Sequence, residues 1–119
     1  MSSAGTALIT IIFARVAVRQ LDSAVAWYEQ IFGPATARPI SGVVEWHFPI
    51  GGRLQVYEVA ERAGHGSFTV SVTTIVELVA TLDAAGTRSP APSRTPQMDT
   101  VMITDLDGKS IAFVGPGEG

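Results

Sequence analysis

The order of the predicted elements occurs twice in this chain of 119 residues, and this repeat constrains the fold more than any single motif. Each half reads as a strand, a helix and three further strands. The helix starts, Asp22 and Thr74, are 52 residues apart, and the last strands, at Gln55 and Ala112, are offset by 57. Repeated units of this size bury their apolar faces against each other. We therefore predict one α+β domain of two tandem βαβββ units, with these bounds: 1–119 for the domain, about 8–59 for the first unit and about 66–115 for the second.

Signals at their ends define the two helices. Asp22 is placed to accept hydrogen bonds from the first backbone N–H groups of a helix over 23–32, and Gly33-Pro34 ends that helix. The segment from Thr74 to Glu77 has the pattern of a capping box, in which a threonine and a glutamate satisfy the first backbone donors. This box predicts a second helix that extends to about Ala85.

The remaining apolar and alternating stretches predict strands. Segment 87–97 carries three prolines, so we predict an irregular or edge strand there and leave open whether it forms a lid. In the turn over 105–108, Gly108 suits the left-handed position. Strands are predicted at 7–18, 35–40, 43–50, 53–59, 67–73, 99–104 and 110–115.

Composition excludes several classes of function. The chain has a net charge of −3 and one lysine, so it lacks the clustered positive charge that nucleic acids and anionic membranes require. It contains no cysteine, which excludes disulfides, thiolate metal sites and thiol nucleophiles. The first residues lack the basic region of a signal peptide, and the apolar run that follows is interrupted at Arg15. We therefore expect a cytoplasmic protein without a nucleic-acid or membrane partner.

The hairpin over 43–59 contains the densest group of aromatic and titratable side chains, and its register decides which of them face a cavity. A three-residue turn brings Glu45 and His47 to the face of Gln55, where they can act as acid and base or as metal ligands. A two-residue turn at Gly51-Gly52 does the reverse, because a slip of one residue moves every side chain to the other face. The glycine pair favours the two-residue turn. It predicts an aromatic wall with one amide: Trp46, Phe48, Gln55 and Tyr57.

Three pieces of the chain, in this order, are similar to a known superfamily. They are Leu21-Asp22-Ser23-Ala24-Val25-Ala26-Trp27-Tyr28 leading to Phe32-Gly33, Leu54-Gln55-Val56 after a glycine turn, and Asp105-Leu106-Asp107-Gly108-Lys109 before the last strand. Over about 11–115 the chain resembles the vicinal oxygen chelate superfamily, which includes glyoxalase I, bleomycin-resistance proteins and extradiol dioxygenases. The resemblance implies a curved mixed sheet around a cavity, with the helices outside.

The resemblance also identifies the positions at which enzymes of this superfamily hold one divalent metal with His, Glu or Gln. In this chain those positions carry Phe13, Gln55, Ser67 and Ala112. Only the Gln55 side chain suits a metal, so we expect no metal and assign no catalytic residue. The alternative is a lyase, isomerase or dioxygenase of the glyoxalase type, with nickel, zinc, manganese or iron held by Gln55 and by His65 or His47.

The function that these residues favour is binding of a small hydrophobic or aromatic molecule, which the protein sequesters or senses. The resemblance makes this role similar to that of antibiotic-sequestering resistance proteins. Bleomycin is a cation, whereas this chain is only mildly acidic, so we expect a different small molecule as the ligand. It further implies a homodimer with two sites, formed by side-by-side packing or by exchange of one unit. The predicted ligand-binding residues are Phe13, Arg15, Trp46, Phe48, Gln55, Tyr57, Ser67, Thr69, Met102 and Ala112.

Overall fold

A computed structural model describes residues 8–117, which contain two helices and seven strands in two units. The first unit contains β1 (Phe13–Val18), α1 (Leu21–Phe32), β2 (Val43–His47), β3 (Arg53–Glu58) and a short 3-10 turn (Ala60–Arg62). The second contains β4 (Ser67–Ser71), α2 (Ile75–Ala84), β5 (Ser93–Arg94), β6 (Met98–Thr104) and β7 (Ser110–Pro116). No helix within 8–117 is long and apolar enough to cross a membrane.

The strands form two mixed sheets. The first has the order β1-β3-β2 and the second the order β4-β7-β6-β5. In both units the first strand pairs in parallel with the last one, and the last strand pairs antiparallel with the strand before it. This arrangement confirms the α+β class and the repeated plan. In the described part of the chain the two sheets remain separate and share no strand pairing.

Several predicted strands are shorter than expected, and two of them differ most. The first begins at Phe13, and its predicted start at residue 7 lies outside the described residues. The strand expected at 35–40 is reduced to one bridge between Ala37 and Glu45. Pro39 explains this difference, because it has no backbone N–H to continue a ladder.

The two helices begin in different ways. Thr74 caps α2 as predicted, since its hydroxyl accepts a hydrogen bond from the Glu77 backbone N–H at 3.0 Å. The cap predicted at Asp22 is wrong, because α1 begins at Leu21 and no side chain of the preceding residue caps it. Instead the Leu21 N–H donates to the carboxylate of Glu58, from β3, at 2.8 Å. A tertiary contact therefore satisfies a donor that local sequence leaves unpaired.

One hydrophobic core joins the two units. It contains residues from both helices and from the inner faces of both sheets, and its largest fully buried side chains are Trp46, Tyr28 and Phe113. The indole N–H of Trp46 donates to the Gly33 carbonyl at 2.8 Å, so the polar atom of this large side chain has a partner. The helices therefore cover one face of each sheet and leave the other face uncovered by them.

A buried carboxylate links the units at the turn between β6 and β7. Asp105 Oδ2 accepts a hydrogen bond from the Tyr28 hydroxyl of α1 at 2.9 Å. Asp105 Oδ1 accepts hydrogen bonds from the backbone N–H groups of Asp107 and Lys109, each at 2.9 Å. Burial, and then the charge of Asp105, raise the pKa of Tyr28 well above its usual range. Tyr28 thus remains a hydrogen-bond donor between the two units.

Candidate functional site

The hairpin between β2 and β3 closes through three residues, not two. Glu45 lies opposite Gln55, and Trp46 lies opposite Leu54. The Phe48 N–H donates to the Gly52 carbonyl at 3.2 Å, so the loop consists of residues 49–51. The two-residue turn predicted at Gly51-Gly52 is therefore wrong, and the three-residue alternative describes the hairpin.

The cost of burying polar groups explains the observed register. A two-residue turn would direct Glu45 and His47 into the core beside Leu54 and Val56, which is unfavourable for a charged carboxylate. In the observed register Trp46 takes that place and is only 1% exposed. Trp46 is thus a core residue, and the prediction that it shares a face with Gln55 is wrong.

The side of the first sheet opposite the core, here called the open face, carries a mixed set of charged and aromatic side chains. Strand pairing aligns two rows across it: Arg15 with Gln55 and Glu45, and Phe13 with Arg53 and His47. Tyr57 lies one step further along β3 on the same face. Four predicted ligand-binding residues lie together on this face, namely Phe13, Arg15, Gln55 and Tyr57.

Hydrogen bonds join four side chains of the open face into a continuous series, here called the polar chain. Arg15 Nε donates to Gln55 Oε1 at 2.7 Å, and Gln55 Nε2 donates to Glu45 Oε2 at 2.7 Å. The other oxygen of Glu45 lies 2.9 Å from His47 Nε2. A cation on one side of the Gln55 amide and an anion on the other fix its orientation.

Glu45 is the anion within the polar chain, and it is 7% exposed. The hydrogen bond from His47 lowers the pKa of this carboxyl, the bond from Gln55 acts in the same direction, and burial opposes both. The carboxylate thus stays charged at neutral pH. Segment 35–37 covers its backbone, since the Glu45 N–H donates to the Ala37 carbonyl at 2.8 Å.

The lowered pKa predicts a specific dependence of stability on pH. The unfolded chain binds a proton to Glu45 more readily than the folded chain does, so this stabilisation is present at neutral pH and is lost as the pH falls below about 4. In the variant Glu45→Gln, we expect a smaller loss of stability between pH 7 and pH 3 than in the wild type. Urea unfolding at both pH values measures this, with the exposed Glu61→Gln as the control. Equal losses in Glu45→Gln and the wild type would contradict it.

Both aromatic rings of the open face have a guanidinium group nearby. Arg15 Cζ lies 4.2 Å from the centre of the Tyr57 ring, and Arg53 Cζ lies 5.8 Å from the centre of the Phe13 ring. Both distances fall within the range of cation–π attraction. The contact with Tyr57, together with the Gln55 bond, gives the Arg15 side chain a defined position.

The other predicted ligand-binding residues on strands occupy the uncovered face of the second sheet. Thr69, Ala112 and Met102 form one row across it, and Ser67 lies opposite Ser110. A hollow of about 430 Å³ borders this face, and Arg88 is the one charged side chain among its lining residues. The four predicted residues therefore lie together, but in a different sheet from the polar chain.

Phe48 lies apart from both faces. It borders an apolar groove of about 570 Å³ beside β4, together with Phe32 and Phe68. Its ring centre is 6.0 Å from that of Phe32. Thr69 and Arg53 also line the groove, so Arg53 belongs both to this groove and to the open face. The prediction that Phe48 shares a face with Gln55 is wrong.

The two histidines differ in their surroundings. His65 is exposed in the loop before β4, where its backbone carbonyl accepts a hydrogen bond from the Lys109 ammonium at 2.7 Å. His47 is joined to Gln55 through Glu45. Within 8–117, no three or more His, Asp and Glu side chains are grouped as a metal would require.

The predicted register left two residues of the open face out of the site, Glu45 and His47. The alternation of polar and apolar residues along β2 was the signal that could have identified them.

The chain is similar in fold to several solved structures. A glyoxalase/bleomycin resistance protein from Catenulispora acidiphila is 28% identical, with a TM-score of 0.81 over 90% of this chain and 98% of that chain. TnmS3, an antibiotic binding protein from Streptomyces, is 18% identical, with a TM-score of 0.77 over 92% and 97%. A bleomycin-binding protein complexed with bleomycin is 17% identical, with a TM-score of 0.70 over 90% and 98%. The last two likenesses concern the fold alone.

Comparison of sequences adds nothing to these likenesses of structure. No family model matches the chain, and no curated protein is significantly similar to it.

Proposed function

Since this chain has the fold of the glyoxalase/bleomycin resistance protein/dioxygenase family, within the vicinal oxygen chelate superfamily, we propose that it is a metal-free binding protein for a small hydrophobic or aromatic molecule. The molecule is sequestered or sensed at the open face of the first sheet. The observation that carries the proposal is the polar chain, because hydrogen bonds hold its side chains in place beside the rings of Phe13 and Tyr57.

The donor atoms of the polar chain do not fit a divalent cation. The oxygen of Gln55 that would coordinate the metal is 2.7 Å from Arg15 Nε, so a cation there would meet the positive charge of a guanidinium. His47 Nε2 and both oxygens of Glu45 are also engaged in hydrogen bonds within the polar chain. This arrangement supports a site that works without nickel, zinc, manganese or iron.

The aromatic and polar groups of the open face suit a flat organic molecule. Phe13 is 41% exposed and Tyr57 half-buried, so their rings offer apolar area beside oriented hydrogen-bonding groups. Sites of this kind combine apolar contact with a few fixed polar groups that orient the ligand.

A second copy of the chain would complete the site, and we include a homodimer with two sites in the proposal. The open face offers one wall, and the uncovered face of the second sheet, with Met102 52% exposed, offers a matching wall on the partner. Sedimentation equilibrium is expected to give twice the chain mass of 12.5 kDa. A monomer at all concentrations, with the ligand bound at full strength, would contradict this part of the proposal.

Binding of a neutral aromatic probe tests the proposal directly. Titration calorimetry with 2-naphthalenemethanol, in buffer containing a chelator, is expected to show saturable binding. Replacing Tyr57 with alanine removes a ring of the site and should weaken binding about tenfold, the effect of losing one well-packed aromatic contact. The control Ile50→Ala, at a residue 98% exposed, should bind as the wild type does. Binding that appears only after a metal is added would overturn the metal-free proposal.

One observation favours a second candidate, an enzyme. The carboxylate of Glu45 orients the imidazole of His47 at an uncovered face, which is how a carboxylate prepares a histidine for general base catalysis. The metal-dependent form of this candidate uses Gln55 with His47 or His65. Elemental analysis, followed by titration with nickel, zinc, manganese and iron(II), separates the two candidates. Stoichiometric metal whose binding is lost in His47→Ala or His65→Ala would favour the enzyme.

A further inference from the structure

The net charge of the open face is opposite in sign to the net charge of the whole protein. The chain carries a net charge of −3, whereas the open face contains two guanidinium groups, Arg15 and Arg53, and one carboxylate, Glu45. Both oxygens of the Glu45 carboxylate are already hydrogen-bonded within the polar chain, one to His47 and the other to Gln55. The positive charge of the face is therefore the charge that an incoming molecule meets.

Arg15 has hydrogen-bonding capacity left over. Its Nε atom donates to Gln55, and its guanidinium stands over the Tyr57 ring, while its two terminal amino groups have no hydrogen-bond partner within 8–117. Two parallel N–H groups of a guanidinium match the two oxygens of a carboxylate. Because Gln55 and Tyr57 already fix the side chain, a ligand would lose little entropy in ordering it.

The uncovered face of the second sheet carries no negative charge on its strands. On strands β4, β6 and β7 this face carries hydroxyl, methyl and thioether groups and no acidic side chain. Arg88 borders the hollow beside it. If the partner's second sheet forms the opposite wall, that wall also favours an anion.

We propose that the ligand is an aromatic carboxylate, whose carboxylate is bound by the terminal amino groups of Arg15 and whose ring packs beside Tyr57 and Phe13. This inference rests on the proposed binding function and names the chemical class of its ligand. It predicts that affinity falls as salt is added, because the ion pair is partly exposed and is screened.

Three naphthalene probes of similar size, whose substituents are an anion, a neutral alcohol and a cation, test the inference: 2-naphthoate, 2-naphthalenemethanol and 2-naphthalenemethylamine. In titration calorimetry at pH 7, 2-naphthoate is expected to bind about tenfold or more tightly than the alcohol, the gain of a charge-assisted hydrogen bond, and the amine most weakly. Arg15→Met should remove this preference, so that the naphthoate and the alcohol then bind within about twofold of each other. Arg38→Met, at an exposed arginine off the open face, is the control and should keep the preference.

The outcomes separate this inference from the proposed function. Equal affinities for naphthoate and the alcohol, both weakened by Tyr57→Ala and unaffected by Arg15→Met, would overturn the inference and leave the binding function intact. Tightest binding of the amine would overturn it as well. If none of the three probes binds, the binding function fails and the inference fails with it.

Discussion

Replacing Trp46 with alanine is expected to lower the free energy of unfolding by about 3–5 kcal/mol, the usual cost of truncating a large aromatic residue in a core. The side chain is 1% exposed and packs against Tyr28, with ring centres 6.0 Å apart. Its loss leaves a cavity and removes the hydrogen bond to the Gly33 carbonyl. Urea unfolding followed by circular dichroism measures the change.

Trp27 provides the matched control for this experiment. It lies on the same helix as Tyr28 but is only partly buried, so Trp27→Ala should cost clearly less, about 1–2 kcal/mol. If Trp46→Ala instead kept the stability of the wild type and lost ligand binding, the hairpin would have the two-residue turn with Trp46 on the open face.

Replacing Asp105 with alanine is expected to lower the free energy of unfolding by roughly 2–4 kcal/mol, because three buried or partly buried donors lose a charged acceptor at once. These donors are the Tyr28 hydroxyl and the backbone N–H groups of Asp107 and Lys109. Since Tyr28 belongs to the first unit and Asp105 to the second, the substitution weakens the contact between the units. Thermal and urea unfolding both report the loss.

Two comparisons show whether the effect of Asp105 arises from this network. Tyr28→Phe removes one donor and should cost about 1 kcal/mol, and its combination with Asp105→Ala should cost less than the sum of the two single changes. Asp83→Ala, at an exposed aspartate of α2, should change stability by no more than about 0.5 kcal/mol. Strict additivity of Tyr28→Phe and Asp105→Ala would contradict a direct coupling between the two side chains.

Local signals in the sequence were sufficient for most of the fold. The capping box at Thr74 predicts the start of α2 because the hydrogen bond that forms it joins residues three positions apart. The turn before β7 was predicted from Gly108, which adopts a positive φ of 88°. In each case the interaction that decides the structure lies within a few residues of the signal.

The hairpin register was predicted wrongly because one local signal was given more weight than the pattern of the whole strand. Gly51-Gly52 is typical of a two-residue turn, but the three-residue loop is compatible with both glycines and places Val44 and Trp46 in the core. Burial of apolar area over the whole of β2 outweighs the preference of one turn type. Reading the alternation of β2 against that of β3 would have corrected the prediction.

The sequence by itself determined the two repeated units, most of their helix and strand positions and the residue types available for a site. The tertiary structure alone decided that Arg15, Gln55 and Glu45 form one row, because parallel pairing of β1 with β3 joins residues 40 positions apart. It also decided that Glu58, and not Asp22, caps α1, and that Trp46 is buried. Contacts between distant strands depend on packing of the whole core, and no local pattern carries that information.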